Sequence, residues 1–190
     1  MNKTVKMIAF ILMSFALSNK VNATYVDVQS GSLMGMVHAS VADRFFEHHH
    51  LSAGLGYVPK LDHHREMSMV SLRYRYQHPS QFTFQLAERD WSLSLVNFGI
   101  AALVGSHRDL FISLPEKYPD DYYPPTALRL IFNYQSILKL SEKTEVYFDV
   151  SMLDVGFISY IREPDFFYGN YEFLGLAGVT NWGFGVRHQF

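Results

Sequence analysis

The last ten residues, NWGFGVRHQF, narrow the choice of fold more than any other segment. Trp182, Phe184, Val186, His188 and Phe190 fall on one side of an extended chain, and Gly183, Gly185, Arg187 and Gln189 on the other. A period of two with large residues opposing small or polar ones predicts a strand. Aromatic residues stand at both ends of the apolar face. A soluble sandwich turns such a face inward, whereas a membrane barrel turns it outward and keeps a polar lumen.

The alternation recurs toward the N-terminus. In TALRLIFNYQSILKL, Leu128, Leu130, Phe132, Tyr134, Leu138 and Leu140 oppose Arg129, Asn133, Gln135 and Lys139. In SLRYRYQ, Leu72, Tyr74 and Tyr76 oppose Ser71, Arg73, Arg75 and Gln77, and in FTFQLAER, Phe82, Phe84 and Leu86 oppose Thr83, Gln85 and Ala87. In EVYFDVSMLDVGFISYI the alternation holds until Asp154 lands on the apolar face, which predicts a bulge near Leu153. Several Arg and Lys on strand faces suit a small lumen in which they pair with acids. The inward set by parity is Arg73, Arg75, Arg129, Lys139 and Arg187, with Asp149, and Asp154 or Glu145, as partners.

Strands are expected near 32–43, 49–59, 66–77, 81–89, 92–104, 126–140, 144–161 and 176–190. Each approaches the roughly 9–11 residues of a tilted spanning strand. Backbone groups in lipid must pair within the sheet, so the sheet must close. The expectation is an all-β fold: a closed antiparallel up-and-down transmembrane barrel of about eight strands. With both termini periplasmic, outer connections should be long. Residues 105–125 and 162–172 fit, but the first two outer connections look short. A lumen of this size is filled by side chains, so a salt-bridged plug is expected rather than a pore.

Residues 1–23 have Lys3 and Lys6, an apolar run from Met7 to Leu17, and Val21-Asn22-Ala23. This reads as a cleaved secretory signal peptide, leaving one barrel domain over 24–190. The chain has no cysteine, which excludes a disulfide scaffold. A net charge of −2 gives no reason to expect nucleic acid. Aromatics reach 16% while charged residues are 18%, against roughly 25% charged in soluble domains. An exported chain of this composition fits a bacterial outer membrane. A soluble lipocalin-like barrel in the periplasm is the competing location.

The C-terminal segment resembles the terminal strand signature of outer-membrane barrels. Trp182, Phe184, Val186 and Phe190 match it, while His188 departs from it. The resemblance implies recognition by the barrel-assembly machinery and a place among outer-membrane lipids, lipopolysaccharide included. It implies no activity.

Three groups carry candidate chemistry. His48 and His50 share a spacing that can hold Zn or Cu. His63 and His64 stand at the far end of the intervening strand, roughly 30 Å away at 3.3 Å per residue, so the clusters do not form one site. His50 and Ser52 resemble the His-x-Ser motif of the lipid A deacylases, in which a base activates a hydroxyl for acyl transfer. That family carries its motif late in the chain, whereas this pair is early and faces the lumen. The loop LPEKYPDDYYPP offers Tyr118, Asp120, Asp121, Tyr122 and Tyr123 as a recognition surface for an unknown ligand. No cofactor motif appears. The expected role is structural or surface-recognising, with lipid A acyl hydrolysis as the alternative.

Overall fold

The computed structural model describes residues 24–60, 66–105 and 128–190. The expected signal peptide, His63, His64 and the recognition loop with Tyr118, Asp120, Asp121, Tyr122 and Tyr123 lie outside the described residues. The strands are β1 (Thr24–Gly31), β2 (Val37–Phe46), β3 (His49–Val58), β4 (Met67–Gln77), β5 (Phe82–Leu86), β6 (Arg89–Gly105), β7 (Leu128–Lys139), β8 (Thr144–Leu153) and β9 (Thr180–Gln189). All pairings are antiparallel. They run β4-β3-β2-β1-β9-β8-β7-β6, and β4 pairs again with β6 to close the ring. Eight strands therefore form a closed up-and-down barrel, as expected.

The set of eight differs from the expected one. The strand expected over 32–43 is β2, Val37–Phe46, and β1 is an additional strand ahead of it. Its outward residues are Val26 and Val28 and its inward ones Tyr25, Asp27 and Gln29, so its hydrophobic signal is short. In compensation, 81–89 does not go round the barrel. β5 pairs with β6 alone and extends the line of β4 past His78-Pro79-Ser80-Gln81. It forms a hairpin arm with the start of β6, turning at Ala87 and Glu88.

The extra first strand reverses the direction expected for the next three. The short connections then gather at one end: 47–48, 140–143 and the β5–β6 arm, beside Thr24 and Phe190. At the opposite end the chain passes from β1 to β2, from β3 to β4, from β6 to β7 and from β8 to β9. The two short connections that looked anomalous in the sequence belong to the short-turn end, with Thr24 and Phe190.

β8 also ends differently. No bulge shifts its register near Leu153; the chain leaves the sheet there as helix α1 (Asp154–Arg162). Helices α2 (Pro164–Gly169), α3 (Tyr171–Leu174) and α4 (Leu176–Val179) follow. The Asp154 carboxylate accepts from the Leu130 amide at 3.1 Å. It takes over the β7 donor just past the last β7–β8 pair, Ile131 with Leu153. A true bulge occurs on β6, where Ser94 and Asn97 face Ile137 and Gln135 of β7. Asn97 donates to the carbonyls of Ser94 and Gln135 at 3.1 and 2.9 Å, satisfying the disrupted ladder. Leu95 and Val96 both face outward as a result.

The interior is layered. At the long-connection end a 3-10 turn (Ser32–Met34) dips into the mouth. Met34 is completely buried against Met69, Ala101, Leu103 and Ile131, the inward residues of β4, β6 and β7. Gly56 makes this possible, because a side chain there would overlap the Met34 carbonyl. Gly54 leaves space for His38 and Ser40. These neighbours are what the two glycines accommodate. Gly185 in turn leaves space for the Tyr147 ring.

Candidate functional site

Below the Met34 layer the lumen holds a network of buried ions. Asp27 (β1) and Arg187 (β9) are register partners across the seam between first and last strands. Arg187 donates from Nε and Nη2 to Asp27 Oδ2, each at 3.2 Å, and from Nη1 to Glu145 Oε2 at 3.0 Å. Its guanidinium lies 4.9 Å from the Tyr147 ring centre, and Nη2 also reaches Gln135 Oε1 at 3.3 Å. The Tyr147 hydroxyl donates to Asp27 Oδ1.

Arg73 joins the second carboxylate to the first. Its Nη2 is 3.6 Å from Asp27 Oδ2, and its Nη1 is 3.9 Å from Asp149 Oδ2 and donates to Gln29 at 3.1 Å. Asp149 is fully buried and accepts from Gln135 at 2.8 Å, Ser151 at 2.7 Å, Ser32 at 2.8 Å and Asn133 at 3.2 Å. Ser32 ties the 3-10 turn to this carboxylate, so plug and network are one unit. Buried charges persist when they are paired and hydrogen-bonded, and this set meets that condition.

Of the inward charges expected from parity, Arg73, Arg187 and Asp149 meet in this network. Arg75 is buried in the lumen toward the terminal end, and Arg129 stands half-buried at the β7 start. Asp27 and Gln29 were not expected. Their signal was present: extending the alternation back from Ser30 puts both on the inward face. Tyr147 falls on the Asp149 face by parity, and Gly185 stands opposite it in the register.

His50 and Ser52 both point into the lumen. No hydrogen bond joins them; Ser52 Oγ donates to the Arg73 carbonyl at 3.4 Å, and His50 packs edge-on against Tyr25 with centroids 5.7 Å apart. His48 sits in the β2–β3 turn and packs on Tyr76, an outward-side residue, so the two histidines diverge. Among the described residues, no group of three or more His, Cys, Asp and Glu is placed to hold a metal ion.

Outside, the polarity is reversed. Val41, Leu55, Leu72, Phe98, Trp182 and Phe184 stand on the outer wall, each at least half exposed. Trp182, Phe184, Val186 and Phe190, the residues of the terminal-strand resemblance, all face outward. At the short-turn rim His49, Tyr74, Tyr76, Phe45 and Phe46 form a chain of ring contacts, and His49 bonds the Tyr74 hydroxyl at 2.7 Å.

These features define a closed barrel with apolar exterior and ion-filled interior. It is similar in structure to the N-terminal β-barrel domain of Pseudomonas aeruginosa OprF, with 12% identity, a TM-score of 0.44, and coverage of 89% of this chain and 98% of that one. No protein-family model and no curated protein matches the chain. The fold assignment follows from the strand pairing itself.

Proposed function

We propose that this chain is a small outer-membrane barrel with a structural and surface-displaying role. The observation behind this reading is the inverted polarity of the wall. Leu72 is 52% exposed, while its neighbour Arg73 on the same strand is 2% exposed. In water that arrangement forfeits apolar burial around the whole circumference; in lipid it is the favourable one. Closure of the ring satisfies the backbone donors and acceptors that lipid cannot.

Residues 1–23 export the chain, and the outward aromatic face of β9 is presented to the barrel-assembly machinery. The surrounding partners are outer-membrane lipids, lipopolysaccharide among them. The filled lumen makes the barrel a rigid support, so contact with other molecules falls to the long connections at one end, including Tyr118, Asp120, Asp121, Tyr122 and Tyr123. Nothing in the site supports acyl hydrolysis by His50 and Ser52.

Membrane fractionation with heat-shifted gel mobility tests the reading. The chain should sediment with the outer membrane, need detergent for release, and run faster unheated than boiled. Release by salt or osmotic shock alone would refute it and favour a soluble barrel.

A further inference from the structure

Arg75 stands apart from the ion pairs of the lumen. Those to Asp27, Asp149 and Glu145 are made by Arg73 and Arg187. Arg75 on β4 is 5% exposed, and its Nε and Nη2 are buried without a hydrogen-bond partner among the described residues. Its register partner on β3 is His50, which is 3% exposed and whose Nδ1 is likewise unpartnered. Directly opposed residues on one face of a sheet hold their Cβ atoms about 5 Å apart, so these two side chains are neighbours. The inward positions beside them are small: Ser52 on β3, Ala42 on β2, and Gly99 on β6, the last paired with Arg75. Toward the short turns, Arg44 donates to the Tyr25 hydroxyl, and His50 packs edge-on against the Tyr25 ring.

We infer that Arg75 and His50 bind one small monovalent anion, of the size of chloride, inside the barrel. A buried guanidinium is tolerated when it is paired and hydrogen-bonded. The other charges that bear on this pair are Arg44, Arg73 and Arg187 against Asp27 and Glu145. Both of those carboxylates already accept from Arg187. With Asp149 counted among the carboxylates, the guanidiniums of Arg44, Arg73, Arg75 and Arg187 exceed them by one. An ion of single charge balances the set, and a divalent one overshoots it. The imidazole Nδ1 can carry the ring proton, so His50 donates beside the guanidinium and the ion meets two kinds of donor. Arg44 is exposed at the short-turn mouth, where its charge draws an anion inward. The site lies inside the wall, so the inference does not depend on what surrounds the barrel.

Urea unfolding of the detergent-solubilised protein, followed by circular dichroism, tests this with chloride exchanged for gluconate at constant ionic strength. An ion bound only by the folded chain stabilises it by mass action. The unfolding constant should therefore fall as chloride replaces gluconate, approaching about tenfold per tenfold rise in chloride once the site fills. Bromide should act as chloride does. Arg75→Met should abolish the dependence. In gluconate that variant should be at least as stable as the parent, because an unpaired buried charge is gone. His50→Phe keeps a ring against Tyr25 and should need about tenfold more chloride for the same effect, the worth of one hydrogen bond to a charged group. Stability of the parent that ignores chloride would overturn the inference. So would the parent's full dependence persisting in either variant. An Arg75→Met chain weaker than the parent in gluconate would also overturn it, by showing that the protein itself holds the guanidinium. None of these outcomes bears on sedimentation with the outer membrane, which tests the membrane reading separately.

Discussion

Asp27 and Arg187 face each other across the seam where the first strand meets the last, 160 residues apart in sequence and 3.2 Å apart in space. Both are at most 1% exposed. Removing one buried partner strands the other. Asp27→Ala should therefore lower stability by about 3–5 kcal/mol, because Arg187 and Arg73 both lose this shared carboxylate and keep only Glu145 and Asp149. Adding Arg187→Met should recover part of the loss, giving a double mutant less damaged than the sum of the singles. Urea titration of the detergent-solubilised protein, read by gel mobility, checks this. Strict additivity would mean the pair is not coupled.

The Met34 plug depends on Gly56. Gly56→Ala should displace the Met34 carbonyl and cost about 1–3 kcal/mol, the range for overfilled interiors. The loss should concentrate at the long-connection end, seen as faster hydrogen exchange around Ser32–Met34 than in β9. Uniform exchange along the barrel would contradict a local plug.

Leu72 and Arg73 give a paired test of which side meets lipid. Leu72→Arg should cost about 2–4 kcal/mol in vesicles if the position lies near the bilayer centre. The same substitution in a water-exposed wall would be close to neutral. Equal stability of Leu72→Arg and the parent chain in refolding titrations would argue against a lipid-facing wall.

The β5–β6 arm turns on Ala87 and Glu88, whose φ angles are 54° and 61°. Two successive positive values are the pattern of a type I′ hairpin, which favours Asn-Gly. Replacing Ala87-Glu88 with Asn-Gly should relieve this strain. Amide exchange in Phe82–Leu86 should slow by about two- to fivefold, the equivalent of 0.4–1 kcal/mol. Faster exchange would show that the turn takes another form.

Ser52 gives its hydroxyl to a backbone carbonyl in the lumen. Ser52→Ala should leave lipid A acylation unchanged, measured by mass spectrometry of lipid from cells expressing either chain. A gain of an acyl chain in the Ser52→Ala strain would restore the hydrolase reading.

Closure, parity and inside-out polarity were legible in the sequence because period-two alternation marks the two faces directly. Arg73 and Arg187 could be assigned inward from their neighbours alone. Strand identity was less legible. β1 has only Val26 and Val28 to mark its outer face, and the 81–89 segment alternates as well as any spanning strand. Its alternation reflects an arm that pairs on one side only. The helix at Asp154 was read as a bulge because one misplaced acid looks the same in either case until the Leu130 amide is seen to need it. Of the ion network, Arg73, Arg187 and Asp149 followed from parity, whereas Asp27 did not, since it and Tyr147 become neighbours only once the ring is closed.

That closure also sets a schedule. The strand that β1 needs is the last of the described strands along the chain, so no stretch of chain short of Arg187 can assemble the Asp27 pair. Until β9 is in place, the remaining strands form a sheet with two raw edges and uncovered charges. Completion is therefore a single late event, and a chain missing even its final strand loses the seam entirely.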